Sequence, residues 1–156
     1  MAPLVVQIVA TLIARCFVRW RDACRIGLAV MFLFTAGSHF SPLKHDLAAM
    51  IPPPLTGALW PIYATGVLEA AGAVGLLVPA LWRSAAWGLL ALLIAMFPAN
   101  VYAAVAGVTL NGAAPTPLWL RTPLQVFWIA LIWHTTLSAR WRDGATIGDV
   151  REGSSS

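Results

Sequence analysis

Four long apolar stretches, 23–39, 60–80, 84–105 and 122–139, divide the chain, and the last two contain no Asp, Glu, Lys or Arg. A helix that is apolar on every side has no face to offer water. A bilayer accepts such runs, because about 20 predominantly apolar helical residues cross its hydrocarbon core. The composition agrees: of 156 residues 60% are hydrophobic and 10% charged, and the mean hydropathy is +0.79, whereas soluble domains carry roughly 25% charged residues. The runs are continuous rather than alternating, which disfavours a membrane β-barrel. Helices satisfy their own backbone groups in lipid. The expected fold is therefore all-α, an integral membrane four-helix bundle over residues 23–142. An additional N-terminal apolar helix over 1–22 precedes it and a polar tail over 143–156 follows it.

Breaks between the runs support this division. "IPPPLTG" at 51–57 cannot continue a helix, since proline lacks the backbone donor and clashes with the preceding turn. "GVTLNGAAPTP" at 107–117 is a second loop rich in Gly, Asn and Pro. Thr122 followed by Pro123 is expected to cap the last helix and occupy its first turn. Eight of the ten cations, Arg15, Arg19, Arg21, Arg25, Arg83, Arg140, Arg142 and Arg151, fall at one set of ends. By the positive-inside rule those ends, including the "RWRD" segments at 19–22 and 140–143, are cytoplasmic, and Lys44 and Asn111 are outside. The net charge of +4 is thus a topology signal. It is split among loop ends and forms no patch for nucleic acid. The expected location is a bacterial inner membrane, crossed several times.

Residues 4–20, "LVVQIVATLIARCFVRW", permit two readings. Gln7, Thr11, Arg15 and Arg19 recur every four residues and make one narrow polar stripe on a helix. The segment is either a fifth span, with Arg15 snorkelling to the inner interface, or an interfacial helix on the inner leaflet. Its cations follow the apolar stretch, the reverse of a signal peptide.

Thiol and metal chemistry find little equipment. Cys16 and Cys24 are eight residues apart, about 12 Å along a helix, beyond disulfide reach, and no Cys-x-x-Cys occurs. His39, His45 and His134 are scattered without ligand spacing; His39 and His45 alone are near enough to share an ion at the outer surface.

The remaining polar residues lie inside the spans: His39 at the end of the first, Glu69 in the second, Asn100 in the third, Arg121 and Gln125 at the head of the fourth. Ionisable residues in membrane helices face the bundle or a wet cavity and mark function by default. Glu69 carries the strongest expectation, because a mid-helix carboxylate costs roughly 2.5–3.5 kcal/mol on insertion scales. Its neighbours Thr65, Gly66, Gly72 and Ala73 form a small-residue stripe of the kind that turns toward other helices. Pro98 frees the carbonyl of Ile94 near Asn100. Arg121 and Gln125 share a face with Trp128. At 1.5 Å per residue an outward-opening pocket would hold His39, Asn100, Gln125 and Arg121 around its mouth and Glu69 at its floor. His134 is half a turn out of phase with Gln125 and is not expected there. The bland alternative is that Asn100 and Gln125 are interhelical hydrogen-bond glue, Arg121 an interface anchor, and the tryptophans near helix ends belt residues.

At these residues the chain resembles a family. "AGSHF", "MIPPPLTGALWPIYATGVLEAAGAVGLLVPALWR", "FPANVYAA" and "RTPLQVFWIAL" resemble the DoxX-like membrane proteins in order and spacing, over about residues 23–140. The resemblance implies a four-helix core and a polar constellation at His39, Glu69, Asn100, Arg121 and Gln125. Members are linked to quinone-coupled thiosulfate oxidation and membrane oxidoreductase complexes, and distant eukaryotic relatives are assembly chaperones. Two expectations follow. In one, the pocket binds a quinone or similar amphipathic molecule, with Glu69 and His39 as catalytic proton carriers and Asn100, Gln125 and Arg121 as ligand-binding groups. A redox partner protein then supplies electrons, since no flavin, haem or metal motif is present. In the other, the chain is a non-catalytic scaffold or chaperone; a lipid or small-solute carrier is a weaker third. The bilayer, the small ligand, the redox protein and a second copy of the chain are the candidate partners.

Overall fold

A computed structural model describes residues 2–113 and 117–137, and these are helical apart from their connections. The helices are α1 (Ala2–Arg15), α2 (Trp20–Phe40), α3 (Lys44–Ala49), α4 (Trp60–Leu77), α5 (Trp82–Val105) and α6 (Leu118–Ile132), the last continued by a π-helical turn, Trp133–Leu137. Three of them, α2, α4 and α5, are long and apolar enough to cross a membrane. The chain's end, including Arg140, Arg142, Arg151 and the polar tail, lies outside the described residues.

Packing centres on α2, which meets α1 on one side and α4 on the other; α4 packs on α5, and the π-turn returns to α2 and α5. One half of this helical bundle is dense. Leu28, Met31 and Phe32 of α2 interlock there with Ala73 and Leu76 of α4, Leu89 and Leu90 of α5 and Ile132 of α6. The same half ends in arginines: Arg25 pairs with Asp22 and lies 4.0 Å above the Trp82 ring, joining the starts of α2 and α5. The other half is built from the C-terminal ends of α2 and α5 and the N-terminal ends of α1, α4 and α6. Pro98 and Pro123 both interrupt helix ladders there, and that half carries the polar cavity.

The first two members of the polar stripe, Gln7 and Thr11, turn inward, while Arg15 and Arg19 are exposed. Gln7 and Thr11 are buried, while Val5, Ile8, Val9, Leu12 and Ile13 are exposed. A side chain at Gly27 would overlap the Thr11 hydroxyl, so glycine is what lets α1 and α2 approach so closely.

Thr122 does not cap the last helix. The helix starts one turn earlier, after Pro117, whose extended backbone (φ −62°, ψ 149°) precedes Leu118. The Pro117 carbonyl accepts from the Leu120 and Arg121 N–H groups at 3.0 and 3.1 Å. The cause is local: Leu118–Leu120 extend the apolar face, and the fixed φ of Pro117 supplies the start that Pro123 was expected to give. The described residues of both stretches, 51–57 and 107–113 with Pro117, are non-helical. The first is preceded by the unforeseen short helix α3. The second contains a tight Asn111-Gly112 turn with φ of 52° and 74°, the positive-φ pair that closes a two-residue hairpin.

Candidate functional site

Gly66 makes the centre of the site. Its missing Cβ would stand 2.6 Å from the Cβ of His39, so only glycine lets α2 and α4 close around that imidazole. His39 Nδ1 is 2.9 Å from the Ile62 carbonyl oxygen. A carbonyl only accepts, so Nδ1 carries a proton and donates it. The Thr65 hydroxyl stands 3.1 Å from the same nitrogen and donates to the Pro61 or Ile62 carbonyl, at 2.9 or 3.0 Å, leaving a lone pair for Nδ1–H.

The tautomer has a consequence on the other side of the ring. Nε2 faces Glu69 Oε2 at 3.6 Å. With Nδ1 protonated, neutral imidazole would aim a lone pair at a carboxylate oxygen. One further proton, on Nε2 or on Oε2, removes that repulsion. The pair is therefore arranged to hold a single proton between two heteroatoms. Glu69 is buried, at 5% exposure, and Oε2 is the only buried side-chain N or O among the described residues without a hydrogen-bond partner. Such atoms are rare because desolvation without a compensating bond costs about 1–3 kcal/mol or more.

The other candidates are drawn in from α5 and α6. Arg121 Nη1 donates to Asn100 Oδ1 at 3.2 Å, and among the described residues no carboxylate pairs with this guanidinium. Gln125 Nε2 donates to the Leu93 carbonyl at 2.6 Å, one residue before the Ile94 carbonyl that Pro98 frees. His39, Glu69, Asn100, Arg121 and Gln125 all line one cavity of about 300 Å³, at the low end of the range for small-molecule sites. A second chamber of about 290 Å³ lies under α3 and the proline-rich loop, with largely apolar walls that include Leu55, Trp60 and Ile62. His39 and Asn100 line both chambers.

Several contributors were not evident as site residues. Thr35, one turn before His39, and Ser38, immediately before it, line the cavity. Their hydroxyls bond to their own helix, at the Phe32 and Thr35 carbonyls, and nothing in the sequence separates them from ordinary helix-bonded hydroxyls. Trp128, expected only to share a face with Gln125, lines the cavity and donates Nε1–H to Gln7 Oε1 at 2.6 Å. Asp46 of α3 accepts from the Asn111 N–H at 2.7 Å. This contact holds the Asn-Gly turn beside the cavity, where Leu110 forms part of the wall. His45 is exposed and His39 turns both nitrogens toward α4, so the two do not converge on an ion. His134 sits in the π-turn, at the far end of α6 from the cavity.

Comparison with curated proteins and with solved structures gives no match. One family model, a domain of unknown function (DUF8561), matches residues 28–136. That stretch contains His39, Glu69, Asn100, Arg121 and Gln125 and most of the chain, and the protein belongs to this family.

Proposed function

We propose that this is a DoxX-like bacterial inner-membrane protein whose outward-facing polar cavity binds a quinone or similar amphipathic small molecule within a membrane redox complex. On this reading α2, α4, α5 and α6 form a four-helix membrane core. The 15 residues of α6 and the five of the π-turn together reach roughly 30 Å, enough to span. The exposed apolar face of α1 and its buried Gln7 and Thr11 are the opposite of an interfacial helix and favour a membrane-embedded fifth helix, with Arg15 exposed at its end.

The observation that carries the proposal is the convergence of an orphaned carboxylate oxygen, a one-proton histidine partner and an arginine without a carboxylate partner among the described residues, all on one cavity. Arg121 and Asn100 suit a carbonyl oxygen of the ligand, and Glu69 suits a proton delivered to or taken from it. Reduction to the quinol takes two electrons and two protons. The electrons come from a partner protein, and His39, exposed to both chambers, passes protons toward Glu69.

Native mass spectrometry of the protein purified in mild detergent tests this. A bound quinone mass is expected, and its loss in Glu69→Gln, which keeps hydrogen-bonding capacity but takes up no proton. Glu69→Gln that retains ligand with unchanged pH behaviour of binding would overturn the reading. A second reading, a non-catalytic scaffold, is favoured by the Arg121–Asn100 and Gln125–Leu93 bonds, each of which joins α5 to α6. It requires that no small molecule co-purify.

A further inference from the structure

Gln125 belongs to two spaces. Besides the polar cavity it lines an apolar groove of about 310 Å³ on the outer side of the α5–α6 seam, formed with Ile94, Phe97, Thr122, Val126 and Ile129. Ile94 is 63% and Val126 58% exposed, so this face meets the bilayer in a membrane-embedded bundle. The seam is open for a covalent reason. Both helices carry an internal proline at this level, Pro98 beside Phe97 and Pro123 beside Thr122, and proline bends a helix away from close parallel packing. α5 and α6 accordingly touch more sparingly than α2 and α4 or α4 and α5. Between the groove and the cavity stands the side chain that lines both, the Gln125 amide, held by its bond to the Leu93 carbonyl.

We infer that the α5–α6 groove is the tail subsite and lateral entrance for a single-tailed amphiphile whose head occupies the polar cavity, with Gln125 as the gate between them. The inference rests on the reading of that cavity as a ligand site. The occupant is the ligand's own alkyl or isoprenoid tail, because the groove adjoins the cavity across the single side chain of Gln125, which lines both, and offers apolar walls on the lipid side. A head group passing the gate meets Arg121 and Asn100 and ends at Glu69. Swinging the Gln125 side chain breaks one hydrogen bond and leaves the helices in place.

Cysteine accessibility tests the entrance without any quinone. Leu93→Cys places a thiol on the cavity wall of the full chain in lipid nanodiscs, and peptide mapping separates it from Cys16 and Cys24. N-dodecylmaleimide, which partitions into the bilayer, should label it. Filling the groove with Val126→Trp, or independently with Ile94→Trp, should slow that labelling at least tenfold. Labelling by a sulfonated, water-soluble maleimide should change less than twofold. Gln125→Ala should accelerate the dodecyl reagent. Equal slowing of both reagents, or no slowing of either, overturns the lateral entrance. Decylubiquinone and its tailless benzoquinone parent separate this claim from the quinone reading. If neither binds the unsubstituted protein, the quinone reading fails while the labelling result still decides the entrance. If both bind and Val126→Trp weakens them equally, the tail subsite fails and the quinone reading stands.

Discussion

Glu69 sits on the α4 face that also carries Ile62, Gly66, Ala73 and Leu76, all buried, and each does something different for it. Ile62 offers the carbonyl that sets the His39 tautomer, and Gly66 lets the ring approach. Ala73 and Leu76 belong to the dense half that fixes the helix. Two predictions belong at this scale. Gly66→Ala pushes against the Cβ of His39 and should lower stability by ~1–3 kcal/mol, the usual cost of overpacking. Thermal unfolding in detergent measures that loss, and ligand retention should fall with it. Glu69→Gln should instead unfold at the parent's temperature or slightly above it, because removing a buried charge can stabilise, while ligand is lost. A Gln variant as unstable as Gly66→Ala would make the carboxylate a packing element.

At the scale of elements, α1 is held by polar rather than apolar contacts. Lipid tails are as apolar as Leu, so helix association inside a membrane rests on close packing and interhelical hydrogen bonds. The Gln7–Trp128 bond spans 121 residues and ties α1 to α6 across the cavity. Gln7→Leu should cost about 0.6–2 kcal/mol and shift Trp128 emission; equal stability in a chemical unfolding series would refute the tie. The Asp46–Asn111 contact links α3 to the Asn-Gly turn in the same way. Asp46→Ala should speed amide hydrogen exchange across residues 107–113 with no change in the global unfolding temperature, since the turn's own hydrogen bonds, Leu110 to Ala113 at 3.0 Å in both directions, remain.

For the whole molecule the consequence is polarity along the bundle axis, with the buried apolar cluster and the Arg25–Trp82 contact toward one end and the polar cavity toward the other. On the proposed topology Lys44→Cys and Asn111→Cys label with a membrane-impermeant maleimide on intact cells, and Arg83→Cys labels only after permeabilisation. The reverse pattern would invert the map and put the cavity mouth on the cytoplasmic side. Lys44 lies 5.7 Å above the Tyr63 ring and Arg25 above Trp82, so each end pairs a cation with an aromatic ring, and it is the number of cations that sets the expected orientation.

Long apolar runs, proline-rich breaks and the scatter of cations follow from residue chemistry and chain distance alone, and they were readable without coordinates. So was the identity of the polar residues inside the spans, because an ionisable group in such a run stands out whatever its partners. Helical periodicity also says which residues share a face of one helix, as with Thr65, Gly66 and Glu69. It says nothing of how helices are rotated against one another, which depends on close packing between segments far apart in the chain. Tertiary structure alone therefore decided that Gln125 bonds Leu93, that Arg121 meets Asn100 and that Gln7 and Thr11 of α1 face inward. It also decided that one imidazole proton is committed to Ile62, which leaves Nε2 and Glu69 to share another.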